Sequence, residues 1–346
     1  MSTQKALYLL QAKGQFAVRE RDIQEPSSGE VLVEIHATAL NPIEWKIQAF
    51  GLFITEYPIV LGVDAAGIVK KLGAGVTDVS VGDKVLFQGK FNTRYSTFQQ
   101  YTVAPAELVA KVPSNLTLDQ ASAIPAAVAT ASLGLYSHNE ADGIALTAPW
   151  EEGGRGKYTG EPILIIGGSS AVGQQAIQFA KLSGFSPIIT TGSLHNEAYL
   201  KSLGATHVID RSTPLSTLPA VVKEITSNPI KVAYDAISES ETQNAAYDVL
   251  APGGRLVIVL PGAVDKVKIT PEKEISPVAG SPHAPGKHEI GRNLYANLTG
   301  LLESGAIKPN NIEVLSGGLA GIPEGVERLK KGVSALKLVV HPQETV

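Results

Sequence analysis

The chain has no cysteine at all. Disulfides, thiolate nucleophiles and zinc–sulfur sites are therefore excluded together. It also lacks a basic run. Lysine and arginine number 29 against 33 aspartates and glutamates, a net charge of −4, so no nucleic-acid partner is expected. No apolar stretch approaches the roughly 18 residues of a membrane helix, so no membrane partner is expected either. The opening MSTQKALYLL is too short and too polar for a signal peptide, and a soluble cytoplasmic protein is the expectation. What is present is a chain of 346 residues, 44% of them apolar, which is too long for one simple core and fits two domains.

The texture changes along the chain. Up to about residue 110 it reads as short strands between turn residues. VLVEIHATAL alternates apolar and polar positions and stops at Asn41-Pro42. GIVKKLG, VGDKVLF, FQQYTVAP and LVAKVP follow in the same style, as expected of a small barrel or sandwich. QASAIPAAVATASLGLYSH is Ala-rich and helical in character, and Ala148–Pro162 is polar, Gly-rich and expected to be an exposed loop. Strand and helix then alternate, from PILIIG through SPIITT, THVID and KVAYDAI to RLVIVLPG. That order calls for a doubly wound parallel sheet with helices on both faces. Short β pieces return near the C-terminus. The expected fold is α/β, with a Rossmann-type domain over residues 126–287 inserted in a β-rich domain made of 1–125 and 288–346.

The strongest chemical signal is ILIIGGSSAVGQQAIQFA, Ile163–Ala180. A buried-type strand meets a turn of small residues and passes straight into a helix. Gly168 and Gly173 match the G-x-G-x-x-G template, with Ser170 in the middle position. Gly168, Ser169, Ser170, Ala171, Val172 and Gly173 thus form a candidate pyrophosphate cradle at a helix N-terminus. No acid follows the second strand before Glu197, where an NAD enzyme would use one on the adenosine ribose. Ser193, His195 and Asn196 stand there instead, and Arg211 follows the third strand. Hydroxyl, amide and guanidinium groups suit a 2′-phosphate, so NADPH is the expected cofactor.

GVDAAGIV, VGDKVLF, FQQYTVAP, the glycine turn and LKSLGATHVID occur in the order found in the medium-chain dehydrogenase/reductases, which the chain resembles over nearly its whole length. The resemblance implies a GroES-like β-barrel domain enclosing the Rossmann domain, with the active site in the cleft between them. The zinc-dependent branch carries a metal-binding histidine where this chain has Val63, although Asp64 keeps the neighbouring acid. The chain is thus similar to the zinc-free branch: quinone oxidoreductases, alkenal reductases and enoyl reductases. It is most like the fungal trans-acting enoyl reductases, which share the ALNP turn, the GGS loop, the SxHN stretch and the GG…GxERxKKG run. Ala335-Leu336-Lys337 departs from the family's Gly-Lys pair. His283, His288 and Glu289 are close in sequence, but Pro285 and Gly286 break helical spacing and no metal is expected there.

Without a Lewis acid, alcohol oxidation is disfavoured. Reduction of a C=C bond conjugated to a carbonyl needs only hydride at the β-carbon, donors for the enolate oxygen and a proton at the α-carbon. The expected substrate is a small-molecule enone or enoyl thioester, free or carrier-bound. By resemblance, the turn NPIEWKI presents Lys46 to the cofactor, the enolate or the proton transfer; a solvated lysine is the plain alternative. Thr130 corresponds to a threonine near the nicotinamide, and backbone groups near Leu260 and Gly262 to those that meet its amide. Trp45 either lines the substrate cleft or packs. Tyr95 and Tyr101 are weaker alternative donors. Quinone reduction and cofactor binding without turnover are the competing readings.

Overall fold

The computed structural model describes residues 2–138 and 142–346. The chain forms two compact units. One holds Met1–Ala126, Tyr295–Glu303 and Pro309–Val346; the other holds Ala127–Leu294 and Ser304–Lys308.

In the first unit the strand Glu30–Ala39 pairs antiparallel with Asp64–Leu72, Tyr101–Pro105 and Lys337–Val340. Its register against Asp64–Leu72 slips twice, at Leu32/Val33 and Ile35/Ala37. Such bulges raise the local twist, which lets a sheet curl around a core. Val31, Val33, Ile35, Val69, Val85 and Phe87 fill that core. A smaller sheet pairs Thr3–Leu9 with Phe16–Asp22 and Ile59–Val60.

NPIEWKI is not a turn. Asn41 is the N-cap of a helix, Pro42–Phe50, with proline at its first position and Glu44 in its first turn. Proline loses nothing there because the first helical N–H groups have no intrahelical acceptor. Ile47 is buried against Ile322, Val326 and Leu329 of a second helix, Ile322–Lys331. The helix ends at Gly51, whose φ of 70° is the left-handed geometry of a helix stop.

The second unit carries a six-stranded sheet in the order His207–Asp210, Ile188–Gly192, Ile163–Ile166, Val232–Asp235, Arg255–Ile258, Glu274–Pro277 among the described residues. Every neighbouring pair is parallel. The order reverses beside the glycine-turn strand, which is the topological switch point where such sheets hold ligands. The stretch 148–162 is surface backbone, but it is anchored: Trp150 packs edge-on against Tyr136 and Phe179, and Tyr158 stacks on Phe185. Its glycines gave the appearance of a free loop; its two aromatics tie it down.

Candidate functional site

The β-rich unit contains a buried charge cluster at the position the sequence marked. Val63 itself is apolar and buried. Its carbonyl accepts the Gly89 N–H, so it serves as ordinary barrel backbone. Asp64 next to it is wholly buried and saturated. Asp64 accepts the Ala126 N–H at 2.6 Å, the Asn41 side-chain amide at 2.9 Å and the Lys337 ammonium. Lys337 also donates to Asn41 Oδ1 at 2.9 Å. Register explains the meeting. Asp64 pairs with Ala39 at the end of one strand, Asn41 caps the helix two residues on, and Lys337 opens the strand that pairs beside it. These residues do not suit zinc. No thiolate exists in the chain, a valine fills the histidine position, and the nearest carboxylate is neutralised by an internal cation. Among the described residues no group of histidines and carboxylates gathers as a metal site, and that covers His283, His288 and Glu289.

Glu44 belongs to the same cluster, and the sequence reading passed over it. Its Oε2 accepts the Asn41 N–H. Its Oε1 is buried without a hydrogen-bond partner. Burial, then the nearby Asp64 charge, pushes its pKa up to about 8, against the pull of the Asn41 N–H and Lys337. The missed signal was Asn-Pro-x-Glu, a helix-start pattern with an acid at the third helical position. Lys337 had no comparable signal. It opens the strand Lys337–Val340, and nothing local in the sequence says that its side chain turns inward.

Lys46 lies on the Pro42–Phe50 helix, half-buried, its ammonium 5.7 Å from the centre of the Trp45 ring. Trp45 in turn meets Phe50 at 5.9 Å between ring centres. Trp45 is partly buried and also packs on the cluster around Ile47 and Ile322. Tyr95 and Tyr101 do not act as free acids: each donates its hydroxyl to a carboxylate, Glu30 and Glu34 respectively, at 2.8 Å. Burial and Glu34 together push Tyr101 up to about 12.

The second unit carries the glycine turn and the residues that follow the second strand. Ser170 is the N-cap of the helix Ala171–Ser183 and its hydroxyl accepts the Gly173 N–H at 3.0 Å. The other early N–H groups of that helix lie at Ala171 and Val172, both half-exposed. Gly168 and Gly173 are steric requirements. A Cβ on Gly168 would lie 2.1 Å from Thr190 Oγ1, and one on Gly173 would lie 2.2 Å from the Gly167 carbonyl oxygen. The turn is fixed to the second strand through Gly167 N–H to Thr191 Oγ1, 2.9 Å, and Gly168 N–H to Thr191 O, 2.9 Å.

Beyond that strand, Ser193 is half-exposed, His195 is exposed and Asn196 is turned inward, its amide 3.3 Å from Ser169 Oγ. Arg211 is exposed, and its backbone N–H donates to Gly192 O at 2.9 Å, so its chain position lies directly beside the end of the second strand. Asp235 orients a loop: it accepts the N–H groups of Ile237 at 3.0 Å and Ser238 at 2.8 Å. Ile237 then rests on Gly167. Thr130 is half-buried; its carbonyl accepts the Tyr234 hydroxyl at 2.9 Å, and Gly280 crosses its side chain so closely that an added Cβ would fall 1.9 Å from Thr130 Oγ1. Leu260 is half-buried and Gly262 exposed, both past the fifth strand of the sheet.

Two family models match the chain: an alcohol dehydrogenase GroES-like domain over residues 27–114 and a zinc-binding dehydrogenase domain over 171–274. A trans-enoyl reductase of Aspergillus japonicus is 32% identical, covering 90% of this chain and 89% of its own length. The enoyl reductase component of lovastatin nonaketide synthase from Aspergillus terreus is 30% identical, with 90% and 89% covered. An alcohol dehydrogenase superfamily protein from Novosphingobium aromaticivorans has the same fold, with a TM-score of 0.81 at 24% identity over 98% of this chain and 99% of that one. The chain belongs to the medium-chain dehydrogenase/reductase family, among relatives of the fungal trans-enoyl reductases.

Proposed function

We propose that this protein is a zinc-independent enoyl reductase that uses NADPH to reduce the C=C bond of an α,β-unsaturated carbonyl, free or carrier-bound. The observation that supports metal-free chemistry is Val63, an apolar buried residue where the zinc branch has a metal-binding histidine, in a chain without cysteine. The likeness to trans-enoyl reductases over nine-tenths of the chain supports the reaction class.

NADPH, when bound, supplies the hydride. The chain's own residues do the rest. Gly168 through Gly173 admit the pyrophosphate to the helix N-terminus, where N–H groups meet its charge. Ser193, His195 and Arg211 hold the 2′-phosphate, and the inward Asn196 keeps Ser169 in place. Thr130 and the backbone near Leu260 and Gly262 orient the nicotinamide. Lys46 offers its ammonium to the carbonyl oxygen, where charge gathers as the β-carbon is reduced. A proton then reaches the α-carbon from Lys46 or water. Donors suffice because the charge lands on an oxygen conjugated to the reacting carbon.

NADPH labelled with deuterium at the transferred position, given an enone, tests this reading. Label on the β-carbon supports it. Label on the carbonyl carbon means ketone reduction and ends it. Oxidation of NADPH by a quinone but not by an enone would make the protein a quinone reductase.

A further inference from the structure

The first turn of the Lys46 helix sits on two carboxyl groups and one ammonium, all shut from solvent. Glu44 and Asp64 have zero exposure and Lys337 3%. Two charged carboxylates with one cation would leave an uncompensated buried negative charge, which is strongly unfavourable. One carboxyl must therefore carry a proton. Asp64 has an ammonium, an amide and a backbone N–H as donors. Glu44 has only backbone N–H groups to stabilise its charge, chiefly that of Asn41, and its Oε1 is buried without a hydrogen-bond partner. The proton belongs on Glu44.

Among the described residues the elements packed against Glu44 bring no further charge that would take over this role. From the strand Asp64–Leu72 the facing charge is Asp64; from Lys337–Val340 it is Lys337. The helix Ile322–Lys331 brings only Ile322, Val326 and Leu329 to this face, while its Glu324, Glu327 and Lys330 are exposed. Tyr295, near Asp64, is buried and stays neutral, its hydroxyl accepting the Gln88 N–H at 3.0 Å. On the helix itself the next charge is Lys46.

We propose that Glu44 is a positioning residue, uncharged in the working enzyme, whose loss of a proton displaces the first turn of the helix that carries Trp45 and Lys46. Once ionised, Glu44 has to admit water or another donor to its bare oxygen. The sheet beneath is fixed by strand pairing, so the helix turn is the part that yields. Trp45 and Lys46 are the next two residues along. The consequence for turnover rests on the role proposed for Lys46; the movement of the helix does not.

The test is a fluorescence titration of the full-length protein carrying Trp150→Phe, which leaves Trp45 as the sole tryptophan. A transition is expected in the alkaline range around the Glu44 ionisation, and it should be absent when Glu44→Gln is added, because glutamine keeps the shape of the protonated acid. A flat titration with Glu44 intact overturns the proposal. So does the same transition in the Glu44→Gln protein. The single Trp150→Phe protein decides the first point even if the double variant does not fold. In parallel, turnover of an enone should fall across the same range with Glu44 and lose that limb with Glu44→Gln. Glu44→Ala, which removes the acceptor for Asn41, should lower turnover at every pH, and Glu44→Gln should restore it relative to alanine. A fluorescence transition without enone turnover at any pH leaves the positioning role standing and defeats the reductase reading instead.

Discussion

The half-buried Lys46 holds its ammonium 5.7 Å from the centre of the Trp45 ring, within cation–π reach, and its role is open to direct test. Lys46→Met should lower enone turnover by about 10²-fold, the range of positioned acid–base groups. NADPH affinity, measured by calorimetry, should fall much less. A parallel fall in both would put Lys46 on the cofactor ribose. Retention of both within about twofold would mean that it is only a packed surface residue. Lys337 presents a different case. Removing one partner of a buried ion pair leaves the other charge stranded, so Lys337→Met should destabilise the protein by about 3–5 kcal/mol in urea unfolding. Adding Asp64→Asn should recover part of that loss, since no bare carboxylate then remains. A loss in the single variant no larger than about 1 kcal/mol would show that the pair is solvated.

At the scale of elements, the glycine turn and its helix form one device. The strand Ile163–Ile166 is buried on both faces, the turn is tied to the second strand, and Ser170 caps the helix. Gly173→Ala would press a methyl group onto the Gly167 carbonyl. The turn would have to move away from the helix, so NADPH binding should weaken at least tenfold while the β-rich unit stays folded. Unchanged affinity by calorimetry would place the cofactor elsewhere. The strand and helix alternation of this unit was readable from apolar runs and glycine stops alone. The helix Pro42–Phe50 was not, because its start hid in a pattern read as a turn. Asn41 marks a helix start as well as it marks a turn, and only Glu44, three residues on, distinguishes the two.

For the whole molecule, the charge ledger sets the pH dependence. The Glu44 pKa is raised from 4.5 to about 8, chiefly by burial. Its folded form therefore holds a proton that the unfolded form has lost, between those two values. The resulting stability is fully present below about pH 4.5 and is lost as pH rises to about 8, on the order of 5 kcal/mol in all. Glu30 works oppositely. Burial raises its pKa, but the Ser27 N–H, Tyr95 and Arg94 outweigh burial and lower it overall, so its contribution is lost as pH falls. Urea midpoints should thus peak on the acid side of neutrality, and Glu44→Gln should flatten the alkaline decline. A decline unchanged by that substitution would remove Glu44 as its source. The acid-free segment after the second strand bears on cofactor choice: NADPH should bind at least tenfold tighter than NADH, about 1.4 kcal/mol or more, and Arg211→Ala should narrow the gap. Turnover should survive exhaustive chelation; loss with EDTA that zinc alone restores would overturn the zinc-independent reading.

Sequence by itself determined the features that depend on neighbours in the chain. Alternation and apolar runs fix strands, Gly184 stops its helix, and small residues at 168 and 173 let a helix approach a strand. The missing cysteines by themselves excluded a thiolate metal site. Tertiary structure alone decided what stands at that position instead. Asp64 and Lys337 are 273 residues apart, and neither shows in its local pattern that the other will meet it. The state of Glu44 was settled in the same way. A carboxyl's proton affinity depends on burial and on the charges that surround it in space, and those partners come from two strands distant in the chain.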